Sequence, residues 1–178
     1  MSNIAIKGAA TGTGVFTLES PATNTNRTLT LPDEAGTILT TATAGVPIGG
    51  PAFRAYMSAA QTISGSTFTK LNFNTEVFDI NSNYDTATYR FTPTVAGYYQ
   101  ITASVYFAGT YQLYIYKNGI VDASGQYLNA TGHSASSLVY LNGSLDYVEA
   151  YFYGNAVTTA NNSTNANQFT GVLVRSAT

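Results

Sequence analysis

The sequence predicts an all-β jelly-roll sandwich over residues 51–178, preceded by an extended arm over residues 1–50. Three observations predict this fold. Short apolar segments alternate with polar residues at a period of two, turn residues separate these segments, and no long segment keeps a helical period. Strands of this kind bury one face of each sheet and leave the other accessible, which is typical of a sandwich.

The predicted strands follow one another at short intervals along the second part of the chain. They are residues 53–57, 67–70, 87–91, 97–107, 111–117, 120–126, 137–141, 147–153 and 169–175. Asn118-Gly119 stands between two of them and predicts a two-residue hairpin turn. The polar, low-complexity segment 155–168 predicts a long loop before the last strand.

The strand 97–107 has the clearest alternation. Its odd positions are Tyr99, Ile101, Ala103, Val105 and Phe107. Its even positions carry Gln100, Thr102, Ser104 and Tyr106, none of which is charged. One face of this strand is therefore expected in the core, while the other presents an uncharged surface.

Charged residues make up only 9% of the chain, far below the usual fraction, and the net charge is −2. No basic run is present, so binding of nucleic acid or of an acidic membrane surface is not expected. The sequence has no cysteine, no apolar signal segment and no membrane-spanning stretch, which favours synthesis in a cytoplasm without membrane insertion. Because nearly uncharged surfaces associate, the composition favours burial of the surface in an assembly.

Residues 1–50 differ from the rest of the chain. Two short β-type pieces are separated by segments rich in Gly, Thr, Asn and Pro, and they are too short to bury a core alone. We expect an arm that becomes ordered against a partner, followed by a linker ending near residue 50. The side chains expected to make this attachment are Phe16, Leu18, Leu29, Leu31 and Pro32.

The order of motifs in residues 51–178 resembles the globular head of complement component one-q and its tumour-necrosis-factor-like relatives. The motifs that match are Asn81-x-x-Tyr84-Asp85, then Phe91-x-Pro93 with Gly97 and Tyr98 or Tyr99, then Asp146-Tyr147-Val148, and Phe169-Thr170-Gly171-Val172-Leu173. The Thr-Gly that usually precedes the Phe is missing, since this chain has Ala87-Thr88-Tyr89-Arg90 there. The resemblance implies a ten-stranded jelly roll that forms a homotrimer.

The arm, "FTLESPATNTNRTLTLPDEAGTIL", resembles short modules of bacteriophage tail-fibre and other virion appendage proteins that lead into a trimeric head. Together the two resemblances imply a virion protein, made in the host cytoplasm, whose arm binds other tail or capsid proteins. The arm favours a short tail fibre with a head that binds the host surface. The shortness of the chain favours the alternative, a capsid decoration protein, and a soluble lectin-like or signalling ligand is a third class.

Several residues could carry chemistry, and each also has a structural interpretation. Glu76 with Asp79, or Asp146 with Glu149, could form a glycosidase dyad, but solvated or turn-capping carboxylates are the favoured interpretation. The resemblance brings no catalysis, so we expect no enzyme. The alternation in residues 79–85 is compatible with calcium ligands, although the EF-hand pattern fails and the turn-forming habit of Asp and Asn accounts for it. No cofactor is therefore predicted, and calcium remains the alternative.

His133, the only histidine, lies in a segment predicted as a loop. It could belong to a Ser-His-Asp arrangement, or three copies could meet at a trimer axis as a metal or anion site. We expect the polar loops at 129–137 and 155–167 to face outward and contact a receptor, such as a host glycan, through Asn129, His133, Asn161 and Asn162. The aromatic residues expected in the core or at the subunit interface are Tyr99, Phe107, Tyr114, Tyr116, Tyr151 and Phe169.

Overall fold

A computed structural model describes residues 50–155, 158–160 and 166–177, with isolated positions before residue 50. The chain divides into two compact units, Met1–Thr37 and Ile38–Thr178, and the fold below belongs to the second. The arm residues Phe16, Leu18, Leu29, Leu31 and Pro32 lie outside the described residues, as do Asn161 and Asn162. Their roles, and the domain boundary near residue 50, stay predictions.

The described part of the chain is all-β and contains no helix, hence no helix that could cross a membrane. Its twelve strands are β1 (Ala52–Tyr56), β2 (Gln61–Ile63), β3 (Thr69–Lys70), β4 (Thr75–Ile80), β5 (Tyr84–Asp85), β6 (Arg90–Phe91), β7 (Ala96–Lys117), β8 (Ile120–Ser124), β9 (Leu128–Asn142), β10 (Val148–Gly154), β11 (Thr158–Ala160) and β12 (Gln168–Ser176).

The long strand β7 joins the two halves of the sandwich. Its first half pairs with β12 and β9, and β12 continues through β1 to β4; we call this group the first layer. Its second half pairs with β8 and β10, and β10 continues to β3 and to β6 with β5; this is the second layer. A bulge between Tyr106 and Gly109 separates the halves, and Gly109 has φ +142°, a conformation that favours glycine.

Inward-facing side chains of both layers share one core. Phe53 of β1 stacks on Phe91 of β6 at 4.4 Å and meets Phe169 of β12 at 5.1 Å between ring centroids. The Tyr99 hydroxyl donates to the Val95 carbonyl at 2.6 Å, and burial raises the pKa of Tyr99 to about 12. Aromatic rings thus fill much of the space between the layers, and the Tyr84 hydroxyl likewise donates to a backbone carbonyl, that of Phe73, at 2.7 Å.

The alternation predicted for residues 97–107 is confirmed, since every odd-numbered side chain from Tyr99 to Phe107 is buried. The Asn118-Gly119 turn is also confirmed: both residues have positive φ, 51° and 80°, and Lys117 pairs with Ile120. A two-residue hairpin whose central residues are both left-handed matches the twist of its flanking strands.

Four secondary-structure predictions are wrong. Residues 97–107 and 111–117 form one continuous strand, β7, because the bulge bends the chain without ending the pairing. Most of 87–91 is a turn after β5, with only Arg90–Phe91 extended. The predicted loop at 129–137 is strand, since β9 pairs along β7 from Leu128 to Asn142. The predicted loop at 155–168 contains β11, which pairs with β2.

Candidate interaction surfaces

The outer side of the first layer is accessible and largely aliphatic. One row of cross-strand neighbours runs Ile80, Ala52, Val172, Gln100 and Leu138, across five strands. Ile80, Val172 and Leu138 are 47%, 48% and 60% exposed. We call the surface formed by this row and its exposed neighbours the aliphatic face; those neighbours are Phe78, Tyr98, Tyr140 and Val174.

The polar groups on the aliphatic face bond one another. Gln100 Nε2 donates to Ser136 Oγ at 2.7 Å, and the hydroxyls of Thr102 and Ser136 are 3.0 Å apart. The row that contains Ile80 and Leu138 carries no charge; Arg54 lies in the row on one side of it, and Arg175, the register partner of Tyr98, lies on the other side. Covering this face would therefore remove apolar surface from water without stranding many unpaired polar groups.

The outer side of the second layer carries a different surface, an aromatic one. Tyr151 pairs in register with Tyr114, and the rings of Tyr151 and Tyr116 lie 4.2 Å apart. Phe68, just before β3, contacts Tyr114 at 5.1 Å and Tyr153 at 4.8 Å. These five residues, Phe68, Tyr114, Tyr116, Tyr151 and Tyr153, are called the tyrosine cluster below.

An ion-pair group lies beside the tyrosine cluster. Glu149 is only 1% exposed, and its Oε1 accepts bonds from Lys70 Nζ and Arg90 Nε, both at 2.7 Å. The Arg90 guanidinium carbon also lies 4.1 Å from the centre of the Tyr147 ring. One oxygen of this buried carboxylate is thus shared by two cations, which argues against a role as a free acid or base.

Asp146, which could form a glycosidase dyad with Glu149 on sequence grounds, also has structural partners. Its carboxylate accepts bonds from Lys117 at 3.0 Å, from the Asn118 side chain at 2.8 Å and from the Asn142 backbone at 3.1 Å. Burial raises the pKa of Asp146, but the bonds from Asn118 and then Lys117 outweigh it and hold that pKa below its usual value. Asp146 therefore closes the turn between β9 and β10.

The Asp and Asn residues of 79–85 serve the local turn. Asp79 Oδ2 accepts from the Tyr84 backbone at 2.8 Å, and Asp85 accepts from the Ala87 backbone at 2.8 Å and the Thr88 hydroxyl at 2.6 Å. Asn83 Nδ2 donates to the Asn81 carbonyl at 2.8 Å. Within the described residues no group of three or more His, Asp or Glu side chains converges to hold a metal ion.

His133 points into the sandwich rather than outward. It is 5% exposed, its ring stacks on Phe107 at 5.4 Å, and the edge of Tyr111 lies 5.9 Å away. Neither ring nitrogen makes a hydrogen bond within the described residues. Burial lowers the pKa of His133, and the backbone of Ala130 opposes the shift only in part. A buried ring cannot meet two copies of itself at a trimer axis, so that arrangement is wrong.

A cleft of about 300 Å³ lies between Ser124–Gln126 and Gly132–Ser134. His133 contributes to its wall, but both of its ring nitrogens are sealed from solvent. The cleft therefore offers serine hydroxyls and backbone groups without an accessible imidazole.

The residues predicted for the core or interface occupy two separate places. Tyr99, Phe107 and Phe169 are buried in the core, whereas Tyr114, Tyr116 and Tyr151 belong to the tyrosine cluster on the outer side of the second layer. Asn129 is exposed on β9. Sequence reasoning missed the aliphatic side chains of the first layer and Phe68, although Val172 and Leu138 occupy the even positions that an outward face requires.

No protein-family model matches the chain, and no curated protein matches it. Solved structures are similar to it. The globular domain of zebrafish complement 1qA protein has 18% identity and a TM-score of 0.52, over 71% of this chain and 99% of that chain. Murine APRIL has 12% identity and a TM-score of 0.54, over 70% and 98%. Eiger TNF from S. frugiperda has 11% identity and a TM-score of 0.53, over 72% and 96%.

These similarities define the fold. The second part of the chain is a jelly-roll head with the architecture of complement C1q and TNF-type domains, as its motifs predicted. At such identities the likeness establishes the fold alone.

Proposed function

We propose that the chain is a non-enzymatic bacteriophage virion protein, a homotrimeric head on an N-terminal attachment arm. The head contacts the host surface, as a short tail fibre does. The observation that carries the proposal is the aliphatic face, whose central row is uncharged and whose polar neighbours bond one another. The aliphatic face supports the association of copies, the resemblance of the head supports three of them, and the virion assignment rests on the resemblance of residues 1–50 to fibre modules.

A second copy of the chain is the partner that fits the aliphatic face. Covering the exposed half of Val172, Leu138 and Ile80 would add roughly 0.7–1.8 kcal/mol for each side chain, since full burial from full exposure contributes about 1.5–3 kcal/mol. Homo-oligomeric interfaces are more apolar than the rest of a protein surface, and they exclude unpaired charge. Three such faces around an axis would remove the surface that makes a chain with 9% charged residues prone to associate.

Light scattering on the purified full chain tests the trimer. The wild type should have the mass of three chains at micromolar concentration, and Leu138→Lys should be smaller because a lysine would be buried without a partner. Leu145→Lys is the matched control, since Leu145 is 80% exposed in the β9–β10 turn, and it should keep the trimer. A monomeric wild type would refute the proposal for this face.

Gold-labelled antibody against the head, viewed on particles by electron microscopy, tests the virion assignment. Gold at the tail supports the fibre. Gold over the capsid favours the decoration protein, with the arm as its clamp. No gold on any particle would overturn the virion assignment and favour a soluble lectin-like or signalling ligand, which the fold also fits.

A further inference from the structure

The tyrosine cluster remains accessible when the aliphatic face is covered, because the two surfaces lie on different layers of the sandwich. Its five aromatic rings extend over β7, β10 and the segment before β3. Phe68 is 48% exposed, and the four tyrosines are half-buried. An aromatic surface of this extent is unusual outside an interface or a binding site.

The hydroxyl groups of the cluster can serve a ligand. Tyr114 donates to Gln112 Oε1 at 2.6 Å, whereas the hydroxyls of Tyr116 and Tyr153 bond no partner within the described residues. Burial, and then neighbouring tyrosines, raise the pKa values of Tyr114 and Tyr116, so both hydroxyls stay neutral at physiological pH. The surface combines flat apolar rings with hydrogen-bond donors at their edges.

Both cations of the ion-pair group reach solvent beside the cluster, and Asp85 adds one exposed carboxylate next to Arg90. Glu149 is 1% exposed, while the side chains of Lys70 and Arg90 are 29% and 39% exposed. Arg90 uses Nε for Glu149, and its two terminal NH₂ groups bond no described residue. Asp85, which pairs with Arg90 in register, directs its carboxylate to Ala87 and Thr88. An anchored guanidinium with free donors is complementary to a carboxylate.

We propose that the tyrosine cluster binds an acidic saccharide, an inference that rests on the proposed host-surface function. The apolar C–H face of a pyranose would stack on the rings of Tyr116, Tyr151 and Phe68. The sugar carboxylate would lie against Arg90 and Lys70, and the hydroxyls of Tyr116 and Tyr153 would bond the sugar hydroxyls.

Other occupants fit less well. A nucleic acid could stack on the rings, but a chain of net charge −2 with two cations at this surface lacks the basic track that phosphates require. A second copy of the chain fits the aliphatic face better, because the exposed apolar side chains of its central row are aliphatic and that row is uncharged. Neutral sugars would leave the Arg90 donors unused.

Titration of the purified full chain with trigalacturonic acid and with 3′-sialyllactose tests the inference. Tyrosine fluorescence reports binding, since the chain has no tryptophan. At least one acidic probe should bind about tenfold more tightly than its uncharged counterpart, the methyl ester or lactose. Tyr116→Ala and Phe68→Ala should each weaken binding about tenfold. Tyr106→Ala is the matched control, because Tyr106 is 51% exposed on the first layer, and it should bind like the wild type.

The variant Arg90→Lys tests the contribution of the guanidinium donors separately from that of the aromatic rings. It keeps the charge beside Glu149 and loses the fork of donors, so it should reduce the preference for the acidic probe while leaving affinity for the neutral one unchanged. Binding of neither acidic probe at millimolar concentration, or equal binding of acidic and neutral sugars, would overturn the inference. Sugar binding is measured in solution and does not depend on the particle. A protein that binds the acidic probe but is absent from virions would refute the virion assignment and keep this inference. A trimer located on the particle that binds no sugar would remove this inference alone.

Discussion

His133→Phe should make the head more stable and should abolish most of its pH dependence near neutrality. His133 is 5% exposed between Phe107 and Tyr111, with neither ring nitrogen hydrogen-bonded within the described residues. A phenyl ring keeps the stacking on Phe107 and removes two buried polar atoms. Since an unsatisfied buried polar group costs about 1–3 kcal/mol, the variant should be more stable by at least about 1 kcal/mol at pH 7.5.

The pH term follows from the direction of the pKa shift. Burial lowers the pKa of His133 in the folded protein, whereas the unfolded chain keeps a value of about 6.5. Below about pH 6.5 the unfolded state therefore binds more protons, and the free energy of unfolding falls as the pH falls. The slope reaches at most about 1.4 kcal/mol per pH unit and ends at the lowered folded pKa.

Urea unfolding between pH 7.5 and pH 5 measures this difference. His133 is the only histidine, and unperturbed carboxylates titrate mostly below this range, so its proton uptake dominates. Both proteins must be compared at one concentration, because subunit association also stabilises the folded state. Ser134→Ala, at the next and exposed position, should keep the wild-type pH dependence. Equal pH dependence in wild type and His133→Phe would refute the reasoning.

Two further stability predictions concern the second layer. Glu149→Ala should lower the free energy of unfolding by about 2–4 kcal/mol, since Lys70 and Arg90 lose their shared carboxylate but can partly hydrate. A thermal melt that matches the wild type would contradict the importance of this group. Gly119→Ala should cost about 1–2 kcal/mol because residue 119 has φ +80°, and an unchanged urea midpoint would mean that the turn relaxes without strain.

The sequence predicts well what depends on local periodicity. The alternation from Tyr99 to Phe107 correctly assigns the buried face, because a strand places successive side chains on opposite sides. The same rule separates Tyr99 from Tyr114 and Tyr116. Odd-numbered side chains of β7 face the core on both sides of the bulge, so the even-numbered tyrosines face outward. Residue type alone does not distinguish these tyrosines, whereas odd or even position does.

Other elements depend on distant partners. The first half of β9 is rich in Ser, Thr and Gly and looks like a loop, yet pairing with β7 makes it a strand and turns His133 inward. In β4, the bulge opposite Arg54 and Ala55 disrupts the alternation, so Val77, Phe78 and Ile80 are all exposed. Tertiary pairing overrides local propensity in both cases. The convergence of Lys70, Arg90 and Glu149, from three separate strands, has no local signature either.

The position of β12 also constrains when the head can form during synthesis. β12 is the last of the twelve strands, yet it lies between β1 and the first half of β7. While a ribosome is still making residues 168–176, the edges of β1 and β7 that will receive this strand stay open to other nascent chains. The head must therefore close after translation has passed residue 176, and neighbouring ribosomes on one messenger could exchange strands before then. Charge-poor strands give such nascent chains little electrostatic protection, so slow refolding with aggregation at high expression is the expected behaviour.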